Sequence, residues 1–355
     1  MKTALVHAYI DNNLGDDLFL SGITERYKDV EFSFNYANNS TTLREKNNVK
    51  YVELNFLGIL KNVKSYDAFV LIGGSMFQQL GSMSQWVKKW LKLYLIVLFF
   101  RLRGKKVVFM GFNFGPYNNK LFFCLYKSLF KLVNYLSVRD EKTFNLFKEN
   151  KRVRFYPDIV FGLKLEKLAV KQEKNNIGLS IMDFGPNVKF QQQYEDFLIN
   201  VLKGIDKSYT INVYTFQNSR DINDEAVAQR VLEKAKRDAN VYNYRGENLE
   251  KFLRDFSKNE VILSSRFHSL VLALIFRQNF VSINYNIKID NLLDFIGLNS
   301  LQIKPLDLEN KNCIVKTIDR LNSKEKIRFN KRVSDLDNEA VKHFEYLDKL
   351  FEVKN

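Results

Sequence analysis

One short segment gathers most of the chemically useful side chains in this chain: Ser264-Ser265-Arg266-Phe267-His268-Ser269-Leu270. An imidazole can give or take a proton near neutral pH, and Arg266 adds a permanent cation. The apolar residues 261–263 before the segment predict a strand, and the apolar stretch 270–276 after it predicts a helix. That places Ser265, Arg266 and His268 in a strand-to-helix loop at the carboxyl edge of a sheet. A helix start adds unsatisfied N–H groups and a positive dipole end. Together these groups suit a phosphorylated substrate. The other two histidines, His7 and His343, have no such neighbours in sequence. A turn histidine can also serve structure alone; the strand-end position and polar company favour chemistry at His268.

Further candidates occupy similar places. Lys288 follows the expected strand 280–283, and Arg139-Asp140 ends the expected strand 135–138. A histidine, an arginine and a lysine converging on one cleft would hold a small dianion or trianion, although singly each cation also reads as a surface charge. The loop 11–17 after the first strand carries Asn13, Gly15 and Asp16. Gly15 permits a tight turn, and Asp16 can take a proton from a hydroxyl or simply cap a helix. The loop does not match the dinucleotide fingerprint. Gly73-Gly74-Ser75 and Gly111-x-Asn113-x-Gly115-Pro116 let backbone come close to a ligand, so Gly74, Ser75 and Asn113 join the substrate-contacting candidates; ordinary turns would have the same composition.

These loops need a frame of alternating strands and helices. Short apolar strands are expected at 4–8, 68–72, 106–110 and 135–138, each running into a turn. After a charged linker at 163–176 the alternation restarts, with strands at 177–181, 210–215, 241–243, 260–263 and 280–283 and helices at 191–204, 224–238 and 249–257. Such alternation indicates parallel α/β units. The expected architecture is two Rossmann-like domains facing a cleft, over residues 1–165 and 175–322, with ligands beyond the carboxyl ends of the strands. Residues 323–355 read as a charged helical tail.

Composition narrows the function classes. The chain has 355 residues, 55 Lys and Arg against 40 Asp and Glu, and a net charge of +15. That balance favours polyanionic partners or an anionic membrane surface, or is merely a solvated basic face. No nucleic-acid motif is present. Two distant cysteines, Cys124 and Cys313, fit a reducing compartment and offer no CxxC zinc site. The N-terminus reads as a strand with no signal-peptide pattern, and the apolar run 93–100 is far short of the ~20 residues that span a bilayer. A cytoplasmic protein is expected. The stretches 86–106 and 121–136 mix basic and bulky apolar residues, as interfacial helices do; sheet-covering helices with basic outer faces would look the same.

In order, Asn13-Leu14-Gly15-Asp16, Gly73-Gly74, Gly111-x-x-x-Gly115-Pro116, Val138-Arg139-Asp140, Pro157-Asp158, Ser265-Arg266-Phe267-His268 with Ala273, and Tyr285-x-x-Lys288 resemble the polysaccharide pyruvyl transferase family over residues 3–295. The order of the elements and the His-to-Lys interval carry the resemblance. Ser75 stands where a third glycine is common, and Phe267 where Leu is usual. The resemblance implies a glycosyltransferase-B-like fold and transfer of pyruvyl from phosphoenolpyruvate to two hydroxyls of one sugar, giving a cyclic ketal and phosphate. It associates His268, Arg139 and Lys288 with the donor. It requires no metal or cofactor. An acceptor sugar, with galactose frequent in the family, would be presented as a lipid-linked saccharide, the protein sitting peripherally at the inner face of the membrane. The 1–165 domain would bind the acceptor and the 175–322 domain the phosphoenolpyruvate. His268 is the expected general acid or phosphate partner, Arg139, Arg266 and Lys288 the anion binders, and Asp16 a base or acceptor ligand. The rivals are a nucleotide-sugar glycosyltransferase of the same architecture and a non-catalytic polyanion binder.

Overall fold

Every pairing between named strands is parallel, so strands paired in sequence order need crossover connections, which among the described residues are made largely by helices. This is seen in a computed structural model that describes residues 1–10, 12–35, 46–219, 222–323 and 325–353. Asp11, the first residue of the expected 11–17 loop, and Lys324 in the expected tail lie outside the described residues, as do residues 36–45 of the 1–165 segment. The first sheet contains β1 (Lys2–His7), β2 (Val30–Asn35), β3 (Val49–Val52), β4 (Ala68–Ile72), β5 (Lys106–Phe112), β6 (Tyr135–Val138) and β7 (Val153–Phe155), in the order β3-β2-β1-β4-β5-β6-β7. The second contains β8 (Asn176–Ile181), β9 (Thr210–Thr215), β10 (Asn240–Asn243), β11 (Val261–Ser264), β12 (Asn279–Ile283) and β13 (Gln302–Ile303), in the order β10-β9-β8-β11-β12-β13. Central strands such as β4, β8 and β12 are buried along their whole length, as strands covered on both faces must be.

Thirteen helices accompany the strands among the described residues: α1 (Leu14–Arg26), α2 (Phe56–Asn62), α3 (Met83–Leu102), α4 (Lys120–Phe130), α5 (Glu141–Phe147), α6 (Val188–Gly204), α7 (Asp224–Ala235), α8 (Leu249–Ser257), α9 (Phe267–Ile275), α10 (Ile287–Ile296), α11 (Lys311–Asn322), α12 (Lys331–Ala340) and α13 (Glu345–Phe351). The basic, aromatic stretches of the N-terminal half are α3 and α4. Their inner faces bury Trp86, Ile96, Val97 and Phe100, and Phe122, Tyr126, Leu129 and Phe130, in the core of the first sheet. The outer face of α3 still leaves Leu91, Phe99 and Leu102 exposed. No helix among the described residues is long and apolar enough to cross a membrane.

The chain divides into two units, and neither is a continuous stretch. The first comprises Met1–Ile10, Asp16–Leu163 and Asp337–Asn355; the second comprises Asp11–Gly15 and Lys164–Leu336. The C-terminal segment is tied into the first unit by specific polar contacts. Arg26 makes two hydrogen bonds to Asp348, at 2.8 and 2.7 Å, and the Tyr27 hydroxyl donates to the same carboxylate at 2.8 Å. Val341 packs so closely on Gly162 that a Cβ there would stand 2.9 Å from its backbone nitrogen.

His343, in this segment, is fully buried and hydrogen-bonded through both ring nitrogens. Burial holds its pKa down at about 4, against an ordinary 6.5. Between those values the unfolded chain binds a proton that the folded chain refuses, so this contribution to stability is complete above about pH 6.5 and is lost as pH falls toward 4. A depression of this size is worth up to about 3 kcal/mol. Urea unfolding of His343→Gln between pH 7 and 4 is expected to show a shallower loss of stability than the parent; equal slopes would refute the assignment.

Candidate functional site

In the second sheet the strand order reverses between β8 and β11, and the crevice beyond the carboxyl ends at such a switch point is where parallel α/β folds bind ligands. The His268 segment leaves β11 there. Its neighbour β12, with Ser264 opposite Ser282, leads to Lys288, so the two residues follow adjacent strand ends as expected. Both sit deeper in helix than expected. Arg266 is the N-cap of α9, which puts His268 in the first turn. Asn286 caps α10 by accepting from the Lys288 N–H at 3.1 Å.

A serine ladder fixes this turn. The Ser180 hydroxyl oxygen, at the end of β8, accepts from the backbone N–H of Ser265 at 2.7 Å and of Arg266 at 3.3 Å. It also hydrogen-bonds the Ser269 hydroxyl at 2.7 Å, which in turn meets Ser264 at 2.5 Å. Beside the ladder, Arg266 is buried rather than presented to solvent. Its guanidinium donates to Asp224 through Nη2 and to the Gln217 side chain through Nη1 at 3.2 Å. Asp224 is completely buried, and its carboxylate also accepts from the N–H groups of Asp183 (2.9 Å), Phe216 (3.1 Å) and Gln217 (3.0 Å). Burial works against the charged guanidinium, and the charge of Asp224, followed by Tyr285 and the hydrogen bond to Asp224, outweighs it and raises the Arg266 pKa.

The Asn13 motif belongs to this same unit. Asn13 donates to the Gln217 side chain at 3.0 Å, the oxygen that Arg266 also uses, and the Leu14 N–H donates to the Phe216 carbonyl at 3.0 Å. The Asn13 side chain accepts from the Gly15 N–H at 3.0 Å. Asn13 thus receives the N–H at the start of α1, and Asp16 falls in its first turn rather than in a loop. Gly15 lies against the catalytic candidate itself: a Cβ added there would stand 1.8 Å from His268 Nδ1. Only glycine fits, for reasons of space and not of backbone conformation.

The first unit has its own constellation, on three successive strand ends. Gly74 follows β4, Asn113 follows β5 and Arg139 follows β6. Arg139 donates to Asp158 at 2.7 Å and to the Asn113 side chain at 3.0 Å, with its side chain 5% exposed. The Asn113 N–H donates to the Gly74 carbonyl at 2.8 Å. A Cβ on Gly74 would stand 2.2 Å from Arg139 Nη2. Ser75, the next residue, is exposed. This unit's switch point lies between β1 and β4, and His7 ends β1 there, paired in register with Leu71. Burial, then the ammonium groups of Lys89 and Lys92, hold the His7 pKa down at about 4. The Lys89 ammonium reaches the Met76 carbonyl at 3.5 Å, which places a positive group at the turn after β4.

Asn13, Gly15, Ser265, Arg266 and His268 are therefore brought together in one unit, with Lys288 one strand away, and Gly74, Asn113 and Arg139 are brought together in the other. Sequence reasoning overlooked Asp224, Gln217 and Ser180 and set His7 aside. Ser180 and His7 had a usable signal, since each is a polar residue at the carboxyl end of an apolar strand. Asp224 and Gln217 had none: a helix-starting acid and a post-strand glutamine are ordinary. Among the described residues no group of three or more His, Cys, Asp or Glu is placed to hold a metal ion.

Two parallel Rossmann-like units define the glycosyltransferase-B-like class. The sequence then places the chain more narrowly: it belongs to the polysaccharide pyruvyl transferase family, whose profile matches residues 13–287. No curated protein matches it by sequence. Solved structures share the fold at low identity. A UDP-GlcNAc 2-epimerase from Methanocaldococcus jannaschii has a TM-score of 0.60 at 11% identity, covering 98% of this chain and 100% of its own. The Neisseria meningitidis enzyme bound to UDP-GlcNAc has 0.59 at 10%, covering 98% and 100%. Anabaena Alr3699/HepE in complex with UDP has 0.59 at 12%, covering 99% and 98%.

The Gly15 contact can be tested directly. Gly15→Ala must push the His268 ring from its place, and a displacement on the scale of an ångström is expected to lower turnover about a hundredfold. The His268 imidazole resonances should move in the same variant. Parent-like turnover together with unmoved resonances would show that the ring does not depend on Gly15.

Proposed function

We propose that this protein transfers the pyruvyl group of phosphoenolpyruvate to two hydroxyls of a sugar, galactose being the first candidate, in a surface-polysaccharide or lipid-linked precursor. The observation that carries the reading is the placement of His268. It sits in the first turn of α9, at the switch point of the second sheet, packed on Gly15 and one strand from Lys288. Phosphoenolpyruvate has a carboxylate and a phosphate, and a helix N-terminus with a lysine at the next strand end offers positive potential for both.

The chemistry needs two protons given and two taken. Protonated His268 gives one to the methylene carbon, which becomes the methyl group and leaves C2 electrophilic. The first sugar hydroxyl forms its C–O bond to C2 and loses its proton to the now neutral imidazole. His268 returns that proton to the phosphate as its bond to C2 breaks. The second hydroxyl then closes the ketal and restores the protonated imidazole. Asp16, in the first turn of α1, is proposed to take a hydroxyl proton or to hold the acceptor. Arg266, engaged by Asp224, is proposed to act as a charge of fixed position beside the donor, and Ser265 as a backbone contact. In the first unit, Arg139 would supply a cation for an anionic group of the substrates, and Gly74, Ser75 and Asn113 would contact the acceptor.

Leu91, Phe99 and Leu102 on α3, with Lys88, Lys92 and Arg103 nearby in sequence, support a further part of the reading: contact with an anionic membrane that presents a lipid-linked acceptor. The fold shared with proteins solved with UDP or UDP-GlcNAc makes a nucleotide-sugar glycosyltransferase the rival.

Phosphate release from phosphoenolpyruvate across a panel of aryl and lipid-linked glycosides tests the reaction. Acceptor-dependent release is expected, with His268→Ala reducing it at least about a hundredfold, within the contribution typical of a positioned acid or base. Release that survives this substitution would remove His268 from the chemistry, and glycosyl transfer from a UDP-sugar without phosphate release would favour the rival. Flotation with anionic liposomes at low salt should retain the parent and lose a variant carrying Leu91→Glu, Phe99→Glu and Leu102→Glu. If the parent does not float, the membrane reading falls.

A further inference from the structure

We propose that His343, in the C-terminal segment, is a positioning residue for Arg139: its imidazole ties together the two pieces of backbone that carry Arg139 and its partner Asp158. The role in turnover rests on the pyruvyl-transfer reading; the positioning itself does not.

The geometry is specific. His343 Nδ1 lies 2.7 Å from the Ser137 hydroxyl, and Nε2 lies 2.7 Å from the Pro157 carbonyl. Ser137 is in β6, two residues before Arg139, and Pro157 immediately precedes Asp158. A carbonyl only accepts, so Nε2 carries the proton, and Nδ1 accepts from the Ser137 hydroxyl. A neutral ring with this one tautomer satisfies both partners, and burial keeps it neutral. The Tyr156 ring packs edge-on against it at 5.3 Å. Asp158 then has a fixed backbone. One of its oxygens accepts from the Val160 N–H at 3.0 Å and the other from Arg139 at 2.7 Å. Because the guanidinium lies directly over Gly74 and also holds Asn113, a shift of Asp158 is passed to the candidate residues after β4 and β5.

Mere anchoring of the tail is a different role, and other groups already perform it. Asp348 is held by Arg26 and Tyr27, and Tyr135 donates to the Lys342 carbonyl at 3.0 Å. The imidazole can therefore be changed while the segment stays docked.

The test uses the full chain with His343→Ala, His343→Gln and Ser137→Ala. Glutamine can still donate to the Pro157 carbonyl and accept from Ser137. The first readout needs no substrate: the Arg139 Nε–H resonance, assigned by its loss in Arg139→Lys. It is expected to shift or broaden in His343→Ala and Ser137→Ala and to stay near its parent position in His343→Gln. The second readout is phosphate release, where the alanine variants should raise KM for phosphoenolpyruvate about tenfold, the worth of one lost buried hydrogen bond, and glutamine should restore it. Should His343→Ala fail to fold, the Ser137→Ala and His343→Gln pair gives the same comparison. An Arg139 resonance unmoved in folded alanine variants overturns the proposal. A resonance that moves, in a chain that never releases phosphate from phosphoenolpyruvate, upholds the positioning and overturns the transfer reading instead.

Discussion

The Asp224 carboxylate accepts hydrogen bonds from three backbone N–H groups and from Arg266 while wholly removed from solvent. Much of the His268 centre depends on that arrangement. A carboxylate buried without such partners is costly. With them it fixes the Arg266 guanidinium, which reaches Gln217, which receives Asn13, which starts the helix carrying Gly15. Removing either charge would strand the other, a loss of about 3–5 kcal/mol in comparable buried pairs. The pair acts as a frame that fixes the location of its neighbours.

The two units use the same construction with different members. In each, a parallel sheet sets residues on adjacent strand ends, a buried arginine–carboxylate pair fixes one guanidinium, and a glycine without room for a Cβ receives the side chain that matters. Gly15 receives His268 and Gly74 receives Arg139. The glycines are therefore half of each contact. Close approach lets a rigid backbone, which has no rotamers to lose, limit the side chain to one position.

Much of this was legible in the sequence. Buried parallel strands carry apolar runs, so β1, β4, β5, β6, β8, β9, β11 and β12 announced themselves, and their turns drew attention to Gly74, Asn113, Arg139 and His268. Of the edge strands, β10 was expected at 241–243, whereas β3, β7 and β13 were not. β3 has two exposed residues of four, and β13 is two residues long, so neither carries a hydrophobic signal above its surroundings. The starts of α1 and α9 were placed late because polar residues occupy their first turns, Asp16 and Asp17 in one and His268 and Ser269 in the other, and α10 was not expected at all. Partnerships across long sequence intervals were invisible. Nothing local in Asp224, 42 residues from Arg266, or in His343, 186 residues from Pro157, indicates the contact.

The exchange of segments between the units sets the terms on which this protein can be divided or recombined. A gene fragment ending at the linker after Leu163 would encode a first unit without its last helix, leaving Gly162 uncovered and the Arg26 guanidinium without its carboxylate. A fragment beginning there would encode a second unit whose Gln217 and Phe216 lack Asn13 and Leu14. Modular shuffling at the obvious boundary would therefore yield two incomplete pieces. Grafting the second unit onto another first unit would have to carry a few residues from the far end of the chain along with it.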